Sequence, residues 1–220
     1  MKERHKKIID LVILFAVTGI GVSAALSLLP YINKLEAFSR IIATASAQFA
    51  IAGLGAVIVM LLRKEKFTDY GLKKENIIKS LCIGAAFTVV YLTVIYFIEG
   101  GLTWMPFRQV DVTKPALSLG FPLNIIGIII IALSWGFFEG YTLIYISKKI
   151  NSLFNITNPF LKPGPLVIIL CNILIHMAMG QSFLNAASGS IATYVVVMIP
   201  ELTGNSWGSI LIFMMLWNAV

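Results

Sequence analysis

The sequence predicts an all-α membrane bundle of about seven transmembrane helices with its N-terminus in the cytoplasm. Three observations carry that prediction. The 220 residues are 58% hydrophobic and only 12% charged, with a mean hydropathy of +0.89, whereas a soluble domain is about a quarter charged. The apolar residues fall in runs approaching the ~20 that a helix needs to cross a ~30 Å hydrocarbon core. Lys and Arg gather in alternate connections, as orientation in a bilayer requires.

Taken in order, the expected spans are Ile8–Ile32, Ile41–Leu62, Ile77–Ile98, Phe121–Ile146, Pro165–Met179, Leu184–Ile199 and Trp207–Val220. The first four are full length and the last three are short. The final run has 14 residues, about 21 Å of helix, so it is tilted, enclosed by other helices or incompletely spanning. The basic start Met1–Lys7 followed by an apolar run imitates a secretory signal. The run continues to Leu29 and further spans follow, which favours a signal anchor. In the second span, Ala43, Ala47, Ala50, Gly53, Gly55 and Ala56 are small enough to let helix backbones approach closely, which predicts central packing.

With the N-terminus inside, the cytoplasmic segments hold 13 of the 17 basic residues, and the outer ones keep Lys34, Arg40, Arg108 and Lys114. The basic balance therefore reflects topology and contact with anionic lipid in a cell membrane, not nucleic acid. The chain reads as one integral membrane domain without repeats. Arg63–Glu75 reads as a solvated, lipid-facing connector in which Gly71 supplies a turn, and the connections 100–120 and 147–164 are too short to fold alone. Cys82 and Cys171 lie inside spans and behave as small apolar residues, with no disulfide framework.

Against this background, two polar residues inside long apolar stretches stand out, Glu139 and His176. An acid at membrane depth costs about 2.5 kcal/mol or more, so it usually marks a site. Glu139 lies seven residues, about 10 Å, from the cytoplasmic end of its span, and His176 eleven residues, about 16 Å, from the same side. Asn172 precedes His176 by four positions and shares its helix face. The two spans are consecutive and antiparallel, so Glu139, Asn172 and His176 are expected neighbours. A carboxylate and an imidazole beside water can activate it, the one as general base and the other as orienting group or acid. The same pair also fits a helix-locking contact or a proton relay in a small transporter. Two candidate ligands fall short of the three that catalytic zinc needs, so no cofactor is predicted and a divalent metal is left open. Asn218, eleven residues beyond Trp207, falls at the depth of His176 and offers an amide to a developing oxyanion, or binds helices together. Trp135 and Asn172 are the candidate substrate-binding residues.

From Arg63 to the end, the order of features resembles the CAAX prenyl protease and bacteriocin-processing (CPBP, or Abi) family of intramembrane endopeptidases. The stretch Arg63–Leu72, closing on Gly71-Leu72, is similar to a basic lead-in of that family. Its first motif is a Glu pair, three residues and Arg; here Glu139 keeps the first Glu, Gly140 replaces the second and Ile144 replaces Arg. Its second motif is an aromatic, three residues and His; Asn172 stands for the aromatic and His176 is kept. Thr203-Gly204-Asn205-Ser206-Trp207 looks like the lead-in to the third motif, in which His falls on Phe213 and Asn on Trp217, one position before Asn218. The resemblance implies hydrolysis of a membrane-associated peptide or protein by water activated at Glu139 and His176, with the oxyanion side left to Asn218 or Asn172. A non-catalytic relative that binds a membrane peptide or regulates a partner is the alternative reading.

Overall fold

The computed structural model describes residues 2–101, 104–178 and 180–219. Met179 and Val220, the ends of two expected spans, lie outside the described residues. The helices are α1 (Lys2–Ile32), α2 (Ala37–Ala52), α3 (Leu54–Arg63), α4 (Ile77–Glu99), α5 (Thr113–Leu117), α6 (Leu123–Ile131), α7 (Glu139–Asn151), α8 (Pro163–Ala178), α9 (Phe183–Thr203) and α10 (Trp207–Leu216). Among the described residues there is no strand. Three helical stretches, Glu3–Ile32, Ile77–Ile98 and Leu123–Asn151, are long and apolar enough to cross a membrane, and α2 with α3 makes a fourth if that bent pair is one span.

Each expected span coincides with a helix or a consecutive pair. The expected single helix Ile41–Leu62 is instead two, α2 and α3, bent by 55° at Gly53. A Cβ at Gly53 would stand 2.6 Å from the Phe49 ring and 3.0 Å from the Phe138 Cβ, so the break lets α2 press against the helix that carries Glu139. Small residues also seat α1: a Cβ on Gly21 would meet the Ala50 carbonyl oxygen at 2.6 Å, and one on Gly55 the Leu14 carbonyl oxygen at 2.8 Å. The close packing expected of the second span is thus packing against α1.

The C-terminal helix is shorter than expected. It ends at Leu216, about 15 Å long, and its buried face holds Ile210, Ile212, Phe213 and Leu216. It packs closely on α4, where a Cβ on Gly208 would collide with the Ser80 backbone oxygen. Ser80 Oγ donates to the Asn205 carbonyl at 3.0 Å and accepts from the Gly208 N–H at 2.9 Å. Just ahead of α10, Asn205 Oδ1 accepts from the Trp207 N–H at 2.9 Å, while Ser206, at the N-cap position, donates its hydroxyl to the Tyr70 carbonyl at 2.6 Å.

That last contact corrects the reading of Arg63–Glu75 as a solvated connector. Tyr70 and Gly71 are buried. Gly71 has φ +97°, and its carbonyl accepts the Ser206 N–H at 2.8 Å. The Asn205 amide donates to the Lys73 and Glu75 carbonyls. The carbonyls of Tyr70, Gly71, Lys73 and Glu75 thus find their partners by docking on the start of α10.

A charged staple closes the same end of the bundle. Lys149 Nζ reaches Asp10 at 2.8 Å and Glu65 at 2.6 Å, while Arg63 Nε donates to Asp10 at 2.6 Å. Tyr70 and Tyr145 hydroxyls donate to Glu65 at 2.8 and 2.9 Å. Burial, then the hydrogen bond to Glu65, pushes the Tyr70 phenol well above its ordinary value, so it stays a donor. Two acids and two bases thereby tie α1, α3 and α7 together.

At the opposite end, residues 104–119 fold back onto the bundle. Phe107, Val110, Val112 and Ala116 pack with Ile41, Ala45, Ile131 and Trp135 into a second core cluster. The backbone of this segment pairs with the chain beyond α10: Met105 N–H donates to Ala219 and Gln109 N–H to Asn218, at 3.1 and 2.9 Å.

Candidate functional site: the Glu139 cavity

Immediately before Glu139 the helix changes its winding. Residues Ala132–Phe138 form a π-helix between α6 and α7, a local widening often found at functional sites. Gly136 sits inside it; a Cβ there would meet Met214 at 2.7 Å and Phe107 at 3.1 Å. The wider turn shifts the phase of the helix, so Trp135 points into the outer core cluster with Phe107. Trp135, an expected substrate-binding residue, lines neither of the cavities described below.

Glu139 opens α7. Its carboxylate accepts a hydrogen bond of 2.7 Å from Gln48 Nε2 on α2, and the Trp217 indole makes a second side-chain hydrogen bond to it. Glu139 lines a cavity of about 210 Å³ whose walls come from α1, α2, α7 and α8. Asn172 lines the same cavity, as the depth arithmetic implied, and its Nδ2 donates to Ser190 Oγ at 2.9 Å. Thr142, one turn beyond Glu139, lines it too; Thr142 is only 7% exposed and its hydroxyl is buried without a hydrogen-bond partner.

His176 lies elsewhere. It occupies the last turn of α8 and lines a separate cavity of about 140 Å³ together with Gln109, Gln181 and Asn218. Its buried Nδ1 has no hydrogen-bond partner. Asn218 thus shares a cavity with His176, but from a turn with φ +56° after α10 has ended, not from the helix that was expected to carry it. Trp217 stands between the two cavities: it binds the Glu139 carboxylate, and its ring is edge-on to His176 with centroids 6.0 Å apart. Glu139 and His176 thus share Trp217 as a neighbour while lining different cavities.

The departures from the motif pattern fit together in space. Phe213 stacks on Trp217 with ring centroids 4.7 Å apart. A Cβ on Gly140 would stand 2.9 Å from the Phe213 ring. A Glu at position 140 has no room beside that ring, so the small residue at 140 and the aromatic at 213 belong to one packing solution.

No group of three or more His, Cys, Asp or Glu residues able to hold a metal occurs among the described residues. Sequence reasoning missed three members of the site: Gln48, Thr142 and Trp217 as a partner of the acid. Gln48 carried a signal, since an amide inside an apolar run is costly for the same reason as Glu139. Thr142 carried none, because threonine is common in membrane helices.

No family model, curated protein or solved structure matches this chain.

Proposed function

We propose that this chain is a multi-pass membrane protein with a CPBP-like arrangement of helices that binds a ligand at the Glu139 cavity without hydrolysing peptide bonds. In this reading the bundle crosses the membrane seven times, α8 to α10 being short because neighbouring helices enclose them, and the basic end faces the cytoplasm of a cell. The resemblance is supported by convergence: Gly140, Phe213 and Trp217, picked out by motif position, meet one another and Glu139 in space. Gly71 and Ser206, from the two lead-in segments, are hydrogen-bonded.

The observation that carries the non-hydrolytic reading is the Trp217 indole between Glu139 and His176, which line different cavities. General base and proton donor must reach one water, directly or through a second. Phe213 and Trp217 also stand where the resemblance puts the oxyanion donors, and losing a single such donor typically costs about 100–1000-fold in rate.

The test is peptide cleavage by the purified full-length chain in liposomes that carry a mixture of membrane peptides. The expected result is no product beyond the empty-liposome control, for wild type, Glu139→Ala and His176→Ala alike. A product made by wild type and lost in both variants would overturn the proposal.

A further inference from the structure

Deepening that reading, we propose that the Glu139 cavity takes a single-chain lipophilic amine, an apolar chain ending in an ammonium group, that enters sideways from the bilayer between α1 and α8. The inference rests on the binding role proposed above and names its ligand class.

The first observation is where the cavity opens. α1 packs on α2 and α3, α8 packs on α7 and α9, and each touches α7. The cavity lies over α7 in the seam between them, with Phe15 on one rim and Val167 and Ile175 on the other. All three rim residues are exposed, at 52, 37 and 58%, so the mouth faces the surface that an apolar helix turns toward lipid.

The second observation is charge. Each ion pair found among the described residues excludes Glu139, and its partners are the neutral groups Gln48 and Trp217. A carboxylate has about four acceptor positions, and these two donors leave others facing the cavity. An uncompensated acid at this depth is costly, and a cationic head seated there offsets that cost. The third observation is the Thr142 hydroxyl, nine-tenths buried, unpartnered and on the same helix face as Glu139. It is placed to accept a second N–H from the same head group.

Volume chooses between a chain and a peptide. At about 210 Å³ the cavity falls below the 300–1,000 Å³ that drug-sized ligands fill. A peptide helix, ~10–12 Å across with its side chains, does not fit it, whereas the ammonium head and the first part of one unbranched chain do, with the rest of the chain left in the bilayer.

The probe is dodecylammonium brominated on its chain, added to the full-length protein in phosphatidylcholine nanodiscs and read by quenching of tryptophan fluorescence, since Trp217 touches the Glu139 carboxylate. Saturable quenching is expected for the amine, with the brominated alcohol and alkyl sulfate of equal length binding far more weakly. Glu139→Gln should weaken the amine about thirtyfold or more, the low end of what removing one partner of a buried charge pair does. Thr142→Val should weaken it by a smaller factor, and Val167→Trp should block the mouth. Equal quenching by amine and alcohol, or unchanged amine binding in Glu139→Gln, overturns the proposal. If Glu139→Gln does not fold, Val167→Trp decides, and unaltered binding there overturns it. Cleavage is measured separately, so a hydrolytic chain that binds the amine and a non-hydrolytic chain that does not are told apart.

Discussion

Two regions of this molecule bury acids, and they surround them differently. At the basic end Asp10 and Glu65 share Lys149, Arg63 closes on Asp10, and two tyrosine hydroxyls complete Glu65. Ten residues along the same helix from Lys149, about 15 Å away, Glu139 meets an amide and an indole. The first set is complete in itself: two negative charges, two positive ones, and hydrogen bonds that hold three helices in register. The second is left with spare acceptor capacity beside an apolar cavity and an unpartnered hydroxyl. A chain that can satisfy acids this thoroughly in one place, and leaves one incomplete in another, separates holding the fold from holding a ligand.

The contrast is open to attack by mutation. The largest effect is expected at Lys149, which is 7% exposed and serves Asp10, 4% exposed, together with Glu65. Lys149→Met should cost about 3–5 kcal/mol, as breaking a buried pair does by stranding its partners. Thermal unfolding of the purified protein in detergent reads this, and adding Asp10→Asn should recover part of the loss. A midpoint unchanged by Lys149→Met would remove the staple from the account.

Gly208→Ala comes next, since its Cβ would collide with the Ser80 backbone oxygen. Overpacking of this kind costs about 1–3 kcal/mol, and a melt indistinguishable from wild type would mean that α4 and α10 separate freely. Tyr70→Phe removes one of two hydroxyls on Glu65, and a loss of about 1 kcal/mol is expected for one hydrogen bond. A loss as large as that of Lys149→Met would show that this hydroxyl does as much for Glu65 as the Lys149 charge, contrary to the account.

The smallest effect is expected at Glu3. Its hydrogen bond to Lys6, then the charge of Lys6, holds its carboxyl below the ordinary value. A lowered acid contributes stability above its unfolded value and loses that contribution as pH falls through the folded one. This pair is fully open to solvent and screened, so Glu3→Gln and wild type should give the same melts throughout the acid range. Divergence there would mean that an exposed pair acts like the buried staple.

The sequence carried the long elements well, and physics explains where it stopped. Ile77–Ile98 was expected and α4 runs Ile77–Glu99, because an uninterrupted apolar run has no competing structure. The bend at Gly53 was hidden, since both halves are equally apolar and the glycine already had a packing explanation. The π-helix before Glu139 was hidden as well: composition does not distinguish one helical winding from another, and depth arithmetic at 1.5 Å per residue passes over the change. Asp10 and its partner Lys149 lie 139 positions apart, beyond any local pattern. Glu139 with Asn172 was legible from depth and helix face. The separation of His176 was not, because it depends on Trp217, which the motif comparison presented only as a missing Asn.

The most direct test of this division is the thermal midpoint of Glu139→Gln with and without dodecylammonium. Without ligand the account predicts a midpoint within about 1 kcal/mol of wild type, since Gln48 and Trp217 can still hydrogen-bond a neutral amide. With amine at a hundred times its wild-type dissociation constant, wild type should gain about 2.7 kcal/mol and the variant, bound thirtyfold or more weakly, less than about 1 kcal/mol. A loss without ligand as large as that of Lys149→Met, or equal stabilisation of both proteins by the amine, would contradict it.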